Sequence, residues 1–295
     1  MKRFLIALLG IGLSLTLAML HSSLKTDAHP KTQRSARQFV QVGKPAHTTG
    51  FGGGSGCCFE QAQSMTAAVA QSTAQVVPTP KSPDLEILGT SVRYLKDADL
   101  LIFEQIVKGT AGKTLPKPKG SVNGAPVLGY VFPTSLKPED AGFGKVEGIL
   151  ALAVTSHPDF DDTPLWDENN NSNYADDGII FHSHWVVLVK DNRVPGNLSV
   201  KQFNKTDKTA VLPPTNPGMP MYLDSPGFPV LLNGNKLSVL VPAQRIQSKT
   251  EFKFDGVVAY MQVNATNKNL PMLGVYQAYS VSSGNLSFPY SVQPQ

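Results

Sequence analysis

The chain is short of cysteine. Its 295 residues include only two, Cys57 and Cys58, and these are adjacent. Neighbouring thiols cannot staple distant parts of a fold, so the main domain must hold itself together by its core. On its own a Cys-Cys pair also lacks the second ligand pair of a thiolate zinc site. A vicinal disulfide, an intermolecular link, a thiolate metal site and two plain exposed thiols all stay open for it. Charge is scarce too. Charged residues make up 16% of the chain, below the usual quarter of a soluble domain. The formal net charge of +4 is thinly spread, and its most basic part is the stretch with Lys25, Lys31, Arg34, Arg37 and Lys44. No stripe of Arg and Lys interleaved with aromatics occurs, which argues against a nucleic-acid partner. No long stretch has helical periodicity.

Long apolar runs are absent except at the start. "MKRFLIALLGIGLSLTLAML" has Lys2 and Arg3 ahead of an apolar run from Phe4 to Leu20, the layout of a secretory signal. The run is also close to membrane-spanning length, so an uncleaved anchor is the other reading of residues 1–22. Either way the chain is expected to be exported, to the periplasm or the extracellular space, with membrane contact only through this segment. Residues 23–83 contain "TTGFGGGSGCC", scattered Ser, Thr and Gln, and few large apolar side chains. They cannot bury enough surface to offset their ordering entropy and read as a flexible low-complexity tether, with one short helix at "FEQAQSMTAAVAQSTAQ".

Glycine and proline, by contrast, are plentiful, at 25 and 23 residues. From Asp84 onward, short apolar runs alternate with turn residues. "LEILGTSVRYL", "KDAD" and "LLIFEQIVKG" predict a hairpin, and the "NGN" at 233–235 predicts another. "APVLGYVFP", "GILALAVTSH" and "GIIFHSHWVVLVKD" are apolar on both faces, as central strands are. The pattern predicts that residues 84–295 form an all-β domain, an antiparallel two-sheet β-sandwich of roughly 9–11 strands.

"DLEILGTSVRYLKDADLLIFEQIVKG" resembles the opening hairpin of the sandwich superfamily that holds DOMON domains and family-nine-type carbohydrate-binding modules. "NGNKLSVLVPAQRI" followed by "FKFDGVVAYMQ" is similar to a later strand pair of that superfamily. The likeness covers about a third of the chain and rests on strand texture. It implies ligand binding, either of sugars or of b-type haem held by Met and His, and fold likeness alone does not choose between them.

The chemistry concentrates in "HPDFDDTPLWDENNNSNYADDGIIFHSHWVVLVKD", residues 157–191, which holds three of the six histidines. Residues two apart on a strand share a face, so His182 and His184 lie on one side with Ile180, Val186 and Leu188, with the two histidine Cα atoms about 6.5–7 Å apart. Trp185 points the other way, toward a core. If the strand ending at His157 pairs antiparallel with this one, all three imidazoles meet at the foot of the intervening loop. Asp159, Asp161 and Asp162 then stand ready to complete or orient the set. The predicted centre takes a divalent metal (zinc, copper, iron or manganese), which in an enzyme would polarise a substrate or activate water with one of these aspartates as base. Buried hydrogen-bonded histidines and metal-free acid–base catalysis are the alternatives. A Ser–His–Asp triad through Ser156 or Ser183 lacks the Gly-x-Ser-x-Gly elbow.

The loop "DENNNSNYADDG" offers oxygens from Asp167, Asn169, Asn171, Asn173, Asp176 and Asp177, the side-chain types of a calcium loop. It departs from an EF-hand at Ser172 and Gly178, and an ordinary solvated turn has the same composition. Trp166 and Tyr174 are candidates to stack on a small molecule or glycan. Met219 and Met221 in "NPGMPMY" would suit copper or haem beside histidine, or fill gaps in a core. Asn-x-Ser/Thr triplets begin at Asn170, Asn197, Asn204, Asn264 and Asn285.

Overall fold

A computed structural model describes residues 80–295, apart from 164–166, 168–170 and 173–177. The expected signal segment, the expected tether as far as residue 79 and Cys57–Cys58 lie outside the described residues, while Pro83, at the end of the expected tether, already opens a 3-10 turn with Asp84 and Leu85. Those described form fourteen strands and four short 3-10 turns. In chain order the strands are β1 (Ile87–Leu95), β2 (Leu100–Val107), β3 (Pro126–Pro133), β4 (Ile149–Ser156), β5 (His182–Lys190), β6 (Leu198–Val200) and β7 (Leu223–Asp224). They continue with β8 (Val230–Asn233), β9 (Lys236–Pro242), β10 (Lys253–Phe254), β11 (Val257–Val263), β12 (Leu273–Val281), β13 (Tyr290–Ser291) and β14 (Gln293–Pro294). The count exceeds the expected 9–11 because β7, β10, β13 and β14 are two residues each. Both predicted hairpins form. β1 pairs antiparallel with β2 across a turn that ends in the left-handed Asp99, and β8 pairs with β9 across Gly234, also at positive φ.

The architecture differs from a plain two-sheet sandwich. One layer is an open five-stranded sheet in the order β14-β1-β2-β9-β8. The other runs β4-β3-β11-β12-β6-β5, and β5 also pairs with β4, so six strands close into a barrel with β7 extending the far edge of β5. The apolar-on-both-faces strands were read as sandwich centres. Their second face instead lines the barrel lumen. On β4, Leu150, Leu152 and Val154 pack against the five-stranded sheet while Ala151 and Ala153 face the lumen. On β3, Leu128, Tyr130 and Phe132 face the sheet while Val127 and Val131 face inward.

Six strands enclose little room, and interior positions of small barrels must be sized to fit it. The lumen wall accordingly sets alanines and valines among its leucines and methionines. Gly129 stands between Val127 and Val131, and a Cβ there would come within 2.9 Å of the Met261 methyl and 3.3 Å of the Thr155 methyl. The core between the layers carries the large aromatics. Phe103 meets Phe132 and Trp185 edge-on at 5.4 and 6.3 Å and stacks on Phe252 at 6.0 Å. Trp185 is buried there, as its strand parity predicts.

The tight connection from β5 to β6 is held by one carboxylate. Asp191 accepts hydrogen bonds from Arg193 Nε (2.8 Å), Arg193 Nη2 (2.6 Å), the Arg193 backbone N–H (3.1 Å) and Ser199 Oγ (2.8 Å). The Arg193 hydrogen bonds, against an opposing effect of burial, bring its pKa down to about 2. A carboxylate whose folded pKa lies below its unfolded value stabilises the fold above the unfolded pKa and loses that contribution as pH falls toward the folded one. Asp191→Asn is therefore expected to lower stability at pH 7 by about 1–2 kcal/mol, discounted because Arg193 is half-exposed to solvent. Urea titrations should show the gap between variant and wild type closing as pH drops from about 4 to about 2.

Candidate metal centre

The β4–β5 ladder places the site. Its register pairs Thr155 with His182 and Ala153 with His184, so both histidines share the lumen face with Val186 and Leu188. His157 follows β4 directly and is tied across the returning chain by its N–H to the Gly178 carbonyl, at 2.5 Å. The chain then turns at Phe160 and brings Asp162 under the three rings. The four side chains are 1–8% exposed, and one ligand atom from each lies within 4.8 Å of the others.

The outer nitrogens of the three rings are already spoken for. His157 Nδ1 lies 2.8 Å from the Phe160 carbonyl and His182 Nδ1 lies 2.7 Å from the Ile180 carbonyl. His184 Nδ1 meets Ser225 Oγ at 3.1 Å and the Asp224 carbonyl at 3.3 Å. The Ser225 hydroxyl donates to the Asp162 carbonyl at 2.9 Å, which leaves its lone pairs to accept from His184. A carbonyl can only accept, so each ring donates from Nδ1 and turns its Nε2 inward.

Those inner nitrogens converge on each other and on Asp162. His157 Nε2 and His182 Nε2 are 2.8 Å apart. Asp162 Oδ1 lies 3.2, 3.4 and 3.6 Å from Nε2 of His157, His182 and His184. Atoms bound about 2.0–2.2 Å from one ion sit roughly 3–3.5 Å from one another, so this is the spacing of a shared ligand set. Among the described residues, Asp162 Oδ1 and His184 Nε2 make no hydrogen bond despite complete burial. Burial lowers the His184 pKa to about 3, with the neighbouring His182 and His157 adding to the fall against the pull of Asp162. Its imidazole is therefore neutral and able to ligate at any ordinary pH. Burial opposes ionisation of Asp162, but the surrounding imidazoles outweigh it and hold the carboxyl well below its usual range. Three nitrogens and one oxygen, with no sulfur, suit zinc, copper, iron or manganese and do not suit calcium, which wants six to eight oxygens.

The structure thus brings together His157, His182, His184 and Asp162. It directs the other two candidate aspartates elsewhere. Asp159 accepts from the backbone N–H groups of Lys119 and Gly120 and ties down that loop. Asp161 accepts from the Thr163 N–H at 2.8 Å. Asp167 turns both oxygens onto the N–H groups of Asn171 and Ser172. The remaining calcium candidates, Asn169, Asn173, Asp176 and Asp177, lie outside the described residues, as do Trp166 and Tyr174. Ser156 donates to the Ile179 carbonyl and Ser183 to the Phe228 carbonyl. Met221 is fully buried in the lumen wall with Met219 packed beside it.

Two supporting residues escaped the sequence reading. Ser225 is 63 positions from the Asp162 carbonyl it meets, and nothing local announces it. Gly178 sits at φ +89, where a Cβ would strike the Phe160 and His157 carbonyl oxygens at 2.3 and 2.7 Å and His157 Nδ1 at 2.9 Å. Only glycine leaves the Phe160–His157 hydrogen bond intact. Beside the site lies an apolar lumen cavity of about 100 Å³, whose wall includes parts of His157, Asp162, His184, Thr155, Ala259 and Val275.

No protein-family model, curated protein or solved structure matches this chain.

Loss of an orienting partner typically costs a metal site 10–100-fold in affinity. Ser225→Ala is expected to weaken metal binding by about tenfold or more with the fold retained. Asp159→Asn, at the same loop but off the ligand set, is expected to leave metal affinity unchanged. Competition titrations against a chromophoric chelator read both.

Proposed function

We propose that this is an exported barrel protein whose central feature is a divalent transition-metal centre held by Nε2 of His157, His182 and His184 and by Oδ1 of Asp162. One observation carries the reading: with Nδ1 of each ring turned to an oxygen, one ligand atom from each of His157, His182, His184 and Asp162 faces the others within 4.8 Å in a fully buried cluster. A dication at the centre would be held by all four atoms at once, and it would neutralise a carboxylate that is costly to bury. The surrounding burial supports a resident ion rather than a transient surface one.

The same geometry favours a metal that meets a substrate. A four-ligand zinc site with no fifth position is structural, whereas iron, manganese or copper with these four ligands keeps positions free. The cavity supplies the space in which such a position is useful. A metal-dependent enzyme acting on a small molecule is therefore the functional reading, with the metal supplying Lewis acidity and the protein supplying a dry, shaped chamber. The haem reading of the Met219–Met221 segment is set aside. A cavity of about 100 Å³ falls well below the roughly 300 Å³ at which ordinary cofactor pockets begin.

Elemental analysis of the purified protein tests the centre. Wild type is expected to carry near-stoichiometric zinc, copper, iron or manganese, and the His182→Ala/His184→Ala double variant to carry none. Stripping the metal is expected to lower Tm, since an ion present at 100 times its Kd stabilises by about 2.7 kcal/mol. A wild type that stays metal-free after reloading, yet remains folded, would leave the cluster as a purely structural hydrogen-bonded network.

A further inference from the structure

We infer that the barrel lumen is a binding chamber for a small nonpolar molecule with about the bulk of four carbons. The inference stands on the cavity itself and does not rest on the metal reading. Cavities larger than a water molecule are few in a close-packed interior, and each destabilises the fold in proportion to its volume. The lumen nonetheless keeps about 100 Å³ open. Small side chains keep it so. Ala153 on β4 and Ala259 on β11 are both buried, and both line the space. A branched side chain at either position would fill it.

The wall decides the chemistry of the ligand. It is almost wholly apolar. Thr155, Asp162 and His184 contribute to it with carbon, while Thr155 Oγ1, Asp162 Oδ1 and His184 Nε2 are shut off within the protein. The backbone offers little more. β3, β4 and β11 are each paired along both edges, so their N–H and C=O groups are spent on the ladders. A buried water needs two to four polar partners, so such a space disfavours water. A polar ligand would give up its hydrogen bonds to water and receive none in return. A nonpolar one gives up nothing and gains contacts on every side.

Three of the chain's seven methionines, Met219, Met221 and Met261, stand in this wall. Methionine is the side chain best able to fill an irregular gap, yet three of them leave this one open. Unbranched and polarisable, they can also mould themselves to an occupant, which stiffer valines cannot. The volume sets the size. An apolar cavity of about 150 Å³ takes benzene or xenon, and the lumen, at about two-thirds of that, matches a molecule of about four carbons. His184 turns carbon rather than Nε2 to the space, so the ligand lies beside the His–Asp cluster without entering it.

The test is methyl-resolved NMR of the full-length protein, equilibrated in turn with ethane, butane, cyclohexane and propan-1-ol. Butane is expected to shift the methyl signals of Ala153, Ala259 and Val275. It is expected to bind more tightly than ethane by about fourfold for each added carbon. Cyclohexane, too large for the chamber, is expected to bind more weakly than butane. Propan-1-ol matches butane in size but carries a hydroxyl, and it is expected to bind at least about tenfold more weakly. Ala259→Leu fills the chamber from β11 and is expected to abolish the butane shifts in a folded protein. Val275→Ala widens it from β12 and is expected to raise cyclohexane above butane, which serves as the test where the added leucine unfolds the barrel. Methyl signals that ignore every hydrocarbon overturn the chamber, as does propan-1-ol binding as tightly as butane. Butane shifts that persist in folded Ala259→Leu overturn it too. The metal reading fails separately: a protein that binds butane yet takes up no metal loses the centre and keeps the chamber.

Discussion

The hydrogen-bonded ladder between β4 and β5 is the interaction on which the rest depends. It turns a seven-stranded sheet into a closed barrel, since β4 and β5 are otherwise the two strands left to find each other. The same ladder sets the chemistry. A slip of one residue would carry His182 and His184 to the outer face and bring Ser183 and Trp185 inward. Trp185 locked against Phe103 in the core between the layers opposes that slip. Core packing on one side of the strand thereby holds the ligand register on the other.

The ligating rings are oriented mostly by main chain. Phe160, Ile180 and Asp224 contribute carbonyls, and Ser225 is the side chain among the acceptors. Backbone acceptors are fixed by the path of the chain rather than by rotamers, so the tautomers follow from the fold itself. Gly178 is the point where this economy of parts becomes strict, because the chain passes too close to His157 and Phe160 for any Cβ.

Much of this was legible in the sequence, for physical reasons that also explain what was not. The period of two along "FHSHWVVLV" tells which side chains share a face, and it placed both histidines together and Trp185 opposite. The apolar ends of "GILALAVTSH" and "GIIFHSHWVVLVKD" around one polar loop indicated the hairpin, hence the meeting of His157 with His182. Barrel closure was not legible, because burial on both faces reads the same whether the second face meets another sheet or a lumen. The clue lay in size rather than polarity: Gly129, Ala151, Ala153 and Ala259 all fall on one side of their strands. Three adjacent aspartates looked equivalent in sequence. Turn geometry after Phe160 separated them, sending Asp159 to the Lys119 and Gly120 amides, Asp161 to a local turn and Asp162 to the rings.

The burial of the four ligands carries a kinetic consequence. An ion held at this depth has two ways out. One is along an apolar lumen, where a dication without water is strongly disfavoured. The other waits for part of the surrounding shell to open, at a free energy set by local unfolding rather than by coordination. Residence time and affinity are then separate properties of the centre. An ion taken up by the cluster would then record which metal was present when the barrel closed, long after the surroundings have changed.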